Sequence, residues 1–315
     1  VRERGYERHL PLRECSPLSE SWHSSQLTEG KVVRRGDENG FIMPSRIHDN
    51  PDFEVVFLGG STTECLSIPE KQRFPYLTGR LLENQHDMKV NAYNGGKSGS
   101  SSNHSVLSLF GKVIPMNADA VVLMHAINDL MFLMTAGSYW AEHYRRGMIQ
   151  EKHYDPIRKW VTEREINHIF LPSPRTDYDQ YRGKPADLDI GRITQSFRKT
   201  LELFIFICRQ HNIKPVLMTQ ASRITATPDN FMQAKAKQLK SDFSVEYEDF
   251  QEAYSAMNQT IRNVSKQQDV LLIDLAKQIA PDESMMYDSV HFTVKGSQAV
   301  AKIVAETLGN MLLPG

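Results

Sequence analysis

From Pro51 onward, five short apolar runs alternate with longer helical patterns, and this rhythm limits the chain more than any other feature. The runs are Phe53 to Leu58, Val90 to Tyr93, Ala120 to His125, Pro215 to Thr219 and Val270 to Leu275. They are mostly apolar throughout, as strands covered on both faces of a parallel sheet should be. Helices are expected over about Pro69 to Glu83, Ser102 to Val113, Ile193 to His211, Phe250 to Gln267 and Val294 to Leu308. Strands and helices in strict succession predict an α/β fold.

The 315 residues suffice for one large α/β domain or two small ones. Residues 1–50 are rich in Arg, Glu and Ser with little periodicity, and are expected to form an irregular arm over a domain spanning 51–315. Between Leu130 and Gly191 the rhythm fails, which predicts an insertion carrying Trp140, Trp160 and several Tyr, Arg and Pro residues. No Gly/Ser-rich linker marks a second domain, so one domain with an elaborated loop is the simpler expectation.

Charge excludes some functions. With 37 Lys and Arg against 38 Asp and Glu, the net charge is −1, and no global field draws the chain to nucleic acid. The longest apolar stretches, such as Leu203 to Cys208, fall far short of the ~20 residues of a membrane span. Cys15, Cys65 and Cys208 lie far apart, without the spacing of a zinc site or a disulfide framework, and no metal or cofactor is expected. The first residue is Val1 rather than Met, consistent with a mature or trimmed chain; compartment stays open, with an extracytoplasmic setting favoured.

Chemistry concentrates where strands end. The first run leads into Gly59-Gly60-Ser61-Thr62-Thr63-Glu64, which places a hydroxyl at the C-terminal edge of the sheet, where open α/β sheets bind ligands. Ser61 and Glu64 also fit a capping box, although Ser67 before Pro69 and Glu70 offers a separate helix start. The second run leads to the glycine-rich turn Asn94 to Ser100, which is either a plain turn or an anion-binding one. The third leads to His125-Ala126-Ile127-Asn128-Asp129, where Asn128 either caps the next segment or donates from its amide. Near the C-terminus, Asp288 precedes His291 by three residues, a spacing that lets the carboxylate orient the imidazole or lets the pair cap the following helix.

These four segments in this order resemble the SGNH hydrolases, also called the GDSL esterase family, whose four blocks supply Ser, Gly, Asn and His. The likeness covers about Phe53 to Leu308. It implies a flavodoxin-like three-layer fold with a five-stranded parallel sheet in the order 2-1-3-4-5. It further implies that Ser61 is the nucleophile and that Asp288 and His291 close the triad. Gly99 and Asn128 match the oxyanion donors, together with the N–H of Ser61. Two departures stand out: the first block reads Gly-Gly-Ser-Thr, a variant associated with a bacterial branch, and Ala126 replaces a glycine of the third block.

The mechanism so implied passes through an acyl-Ser61 ester, resolved by water or, in an acyltransferase, by another hydroxyl. A non-catalytic carbohydrate-binding relative is the third alternative. Trp140 and Arg145 in the insertion, and Arg223 after the fourth strand, are candidates for substrate contact. Because no long apolar lid is visible, a short acyl group such as acetyl on a carbohydrate or other polar ester is expected.

Overall fold

The computed structural model describes residues 7–11, 31–140 and 178–312. Two short antiparallel strands, β1 (Glu7–Pro11) and β2 (Lys31–Arg35), precede the main sheet. The sheet comprises β3 (Phe53–Gly59), β4 (Val90–Asn94), β5 (Ala120–Met124), β6 (Lys214–Met218) and β7 (Leu271–Ile273). All neighbours are parallel and the spatial order is β4-β3-β5-β6-β7, which is the 2-1-3-4-5 order expected.

Side chains along β3 and β5 divide strictly between two cores, as a period of two requires. Val56, Leu58, Val121 and Leu123 face one side, where Phe197 and Phe204 of α5 (Ile190–Gln210) and Tyr254 and Met257 of α7 (Tyr247–Gln268) cover them. Val55, Phe57, Ala120 and Val122 face the other, under Phe74 and Leu82 of α2 (Phe74–His86) and Val300 and Val304 of α9 (Val294–Leu312). Both faces are therefore dry, which explains the unbroken apolar runs.

Several boundaries differ from expectation. Helix α2 starts at Phe74 rather than Pro69, because Pro69 opens a 3-10 turn over Glu70–Gln72 and Arg73 is then extended. The buried Arg73 guanidinium donates to the carbonyls of Cys65, Ile68 and Met43, fixing that break. The helix expected over Ser102 to Val113 is α-helical only in α3 (Ser102–Ser108), then continues as a π turn over Leu109–Val113. Strand β7 stops at Ile273, after which Asp274 accepts from Arg262 Nε and Nη2, both at 2.9 Å.

Among the described residues, α4 (Ile127–Ala136), α6 (Asn230–Phe243) and the single turn α8 (Leu275–Gln278) escaped the sequence reading. Helix α4 is apolar over most of its circumference and α6 is mostly polar, so these two show no clear amphipathic stripe, and α8 is too short to have one. The expected insertion thus begins inside α4, and its residues 141–177 lie outside the described residues. The described residues of 1–50 carry regular pairing. Besides the β1–β2 pair, Ile42 N–H donates to Asn94 O at 2.9 Å, and the Asn91 amide oxygen accepts from Ile47 and His48. Phe41 and Ile42 are buried at that edge.

Candidate active site

Strand β3 delivers Ser61 directly into a single helical turn, α1 (Ser61–Glu64). Gly60 holds the N-cap position, its carbonyl accepting from Glu64 N–H at 3.0 Å, so the Ser61 hydroxyl is not used as a cap. Gly60 is required by crowding. A Cβ there would lie 2.6 Å from Asn128 Nδ2, so only a bare backbone lets the Asn128 amide sit beside Ser61.

The loop before α9 returns His291 to the same edge. Ser61 Oγ lies 2.7 Å from His291 Nε2, and His291 Nδ1 lies 2.6 Å from Asp288 Oδ2. An ionised carboxylate only accepts, so Nδ1 carries the proton and Nε2 accepts from the serine hydroxyl. The backbone N–H groups of Val290 and His291 donate to Asp288 Oδ1 at 2.9 and 2.8 Å, which fixes the carboxylate against its partner. Burial works to raise the Asp288 pKa, but the His291 charge and these hydrogen bonds outweigh it and hold the carboxyl below its ordinary value. Burial likewise pulls His291 down, yet the Asp288 charge and hydrogen bond, with a smaller contribution from Glu64, leave it above an ordinary histidine. The Tyr287 ring stacks on the imidazole at 5.7 Å, and its hydroxyl meets Ser67 Oγ at 3.1 Å.

The oxyanion candidates come from the second and third blocks. Gly99 has φ +77° in a turn closed by Ser100 N–H on Lys97 O, a position that favours glycine. Asn128 Nδ2 donates to Ser100 O at 2.9 Å, tying the second block to the third. Alanine stands at 126 where the family has glycine; it holds the N-cap position of α4 at φ −164°, outside the left-handed region that demands glycine. Ser61, Gly99, Asn128, Asp288 and His291 all line one cavity.

Two buried carboxylates brace this side, and sequence reasoning missed both roles. Glu64 reaches across to Ser98, accepting from its N–H at 2.5 Å and from its hydroxyl. Asp129 accepts from Ser102 N–H at 3.0 Å, from the Ser102 hydroxyl at 2.5 Å and from the Tyr139 hydroxyl. Burial pushes its carboxyl up, while those donors pull it back only in part. Gln220 adds a third brace, donating to Thr62 Oγ1 and accepting from Ile127 N–H, both at 2.8 Å. A serine in the next block, Ser98 or Ser102, gave no signal of its own, because its partner lies tens of residues away.

The substrate-contact candidates fare differently. Arg223 is buried and binds Asp229 Oδ2 through Nε at 3.0 Å, with Nη1 on Met286 O and its N–H on Ser289 O. It props the loop that carries His291 and does not line the cavity. Trp140 stands 73 % exposed and is not among the described residues lining the cavity, and Arg145 lies outside the described residues. Among the described residues no three His, Cys, Asp or Glu side chains group closely enough to hold a metal ion, and no helix is long and apolar enough to cross a membrane.

Solved structures share this architecture. A GDSL-like lipase from Parabacteroides merdae matches at TM-score 0.50 and 14 % identity, over 84 % of this chain and 99 % of its own. A mutant acetyl-xylooligosaccharide esterase from Geobacillus matches at TM-score 0.50 and 14 % identity, over 84 % and 97 %. No curated protein matches. The sequence model described as the GDSL-like Lipase/Acylhydrolase family matches residues 57–299, and the chain, an ester-cleaving serine hydrolase, belongs to that family.

Proposed function

We propose that the chain cleaves a carboxylic ester through an acyl-Ser61 intermediate. The observation that carries this is the unbroken hydrogen-bonded line from Ser61 Oγ through His291 to Asp288. His291 takes the serine proton as Oγ attacks the carbonyl carbon, and returns it to the departing alcohol oxygen. Asp288 keeps the imidazole in the tautomer that accepts at Nε2 and stabilises the imidazolium that forms. Water, deprotonated by the same imidazole, then releases the acid and restores Ser61.

Negative charge collects on the former carbonyl oxygen in each half-reaction. The N–H groups of Ser61 and Gly99 and the amide of Asn128 are the donors that would stabilise it. Preorganisation supports that reading: Gly60, Asn128 and Ser100 are locked together before any substrate arrives.

The test is active-site labelling with turnover. Ser61→Ala is expected to lower kcat on p-nitrophenyl esters by roughly 10⁶ and to abolish labelling by a fluorophosphonate probe. A folded Ser61→Ala protein with undiminished turnover overturns the assignment. A carbohydrate as the alcohol half draws on the exposed Trp140 ring and on residues such as Arg145, and an acceptor sugar added to the assay would divert product if transfer competes with hydrolysis.

A further inference from the structure

The cavity beside Ser61 has a volume of about 350 Å³ and extends well past the reacting groups. Its walls there are apolar and come from separate elements: Tyr178, Met131 of α4, Ile224 after β6, Met232 and Leu239 of α6, and Phe250 of α7. Met232 and Leu239 are seven residues apart, so they share one face of α6. Lys235, between them, is the charged exception, and its ammonium donates to Gln238 Oε1 at 2.6 Å.

A site of this kind suits a chain of methylenes. An acetyl group has one methyl to bury, which would leave most of the apolar wall facing solvent or empty space and forfeit its contacts. A methylene is about as bulky as a water molecule, and the cavity reaches from Ser61 to Met232, Leu239 and Phe250, so it has room for a chain of several carbons beyond the ester. The sequence hid this. Its apolar lining residues are scattered from Met131 to Phe250, and the one apolar run among them, Leu130 to Met134, is too short to read as a lid.

We propose that this cavity is the acyl subsite and that it selects straight-chain acyl groups of medium length over acetyl. The inference rests on the Ser61 chemistry above and adds the class of acyl group that the same site takes. Each added methylene buried in the wall strengthens binding in the transition state, raising kcat/KM about threefold to fourfold per carbon until the space is full.

Two ester series decide the matter. In the first, p-nitrophenyl esters run from acetate to dodecanoate; in the second, acetates run from ethyl to octyl alcohol. The expected result is a rise of more than a hundredfold from acetate to octanoate in the first series and a flat second series. Narrowing the wall by Leu239→Trp should cut the octanoate-to-acetate ratio at least tenfold, and Met131→Phe, a milder change, should cut it in the same direction if the first variant folds poorly. Acetate preferred over octanoate, or a length dependence confined to the alcohol series, overturns the acyl subsite while the Ser61 reading stands. Hydrolysis of no ester by folded protein, or full turnover by Ser61→Ala, overturns the Ser61 reading and the subsite with it.

Discussion

The two sides of Ser61 are held in contrasting ways. On the His291 side, Asp288 and His291 form a unit of four consecutive residues, closed by a side-chain bond and two backbone N–H groups within the same loop. On the oxyanion side the side-chain braces are long-range: Glu64 holds Ser98, Asp129 holds Ser102 and Asn128 holds Ser100, each across 27 to 34 positions of chain. A short loop sets its own geometry, whereas the oxyanion side depends on how strands and helices dock. Perturbing a brace should therefore harm catalysis more on the second side than on the first.

Replacing the reacting groups gives the largest effects. Asp288→Asn should lower kcat by about 10⁴, since it favours the wrong imidazole tautomer. It should also move the acid limb of the pH profile. His291 must be neutral to accept a proton, and its raised pKa puts the loss of kcat/KM, as pH falls, above the ~6.5 of an ordinary histidine. Without the Asp288 charge that limb shifts to lower pH, and an unshifted limb would show that another group controls it.

Asn128→Ala comes next, at ~10²–10³ in kcat with little change in KM. A rise in KM alone would move Asn128 from the oxyanion to ground-state binding. Asp129→Asn should lower kcat about 10–100-fold by misplacing the Ser102 end of the second block, with the acid limb unmoved. The smallest catalytic effect is expected for Arg223→Ala. Losing its bonds to Asp229 and Met286 should reduce stability by ~1–3 kcal/mol in urea unfolding, with kcat within tenfold of the parent. If Arg223→Ala damages kcat more than Asp129→Asn does, the contrast between the two sides fails.

The same contrast explains what could be read from residues alone. The Asp288–His291 spacing and the strand-to-serine turn at Gly60-Ser61 are local patterns, and the parallel sheet follows from unbroken apolar runs. Helix α6 was invisible because only Met232 and Phe243 are fully buried along it, yet it forms part of the cavity wall. The bond from Arg223 to Asp229, six residues on, gives no signal in the sequence either, because loop residues carry no periodicity that pairs them. Glu64 resembled a cap for the same reason, its real partner Ser98 being 34 positions away.

The bond between Ser61 and His291 also joins parts of the chain separated by 230 positions. A ribosome adding 5–20 residues per second takes roughly ten to fifty seconds to travel that distance. Throughout that interval the newborn polypeptide has its serine but not the imidazole that would activate it, so hydrolysis cannot begin before the loop carrying His291 has emerged and docked. The wiring acts as a built-in delay, and a chain truncated before residue 288 would leave the ribosome chemically silent.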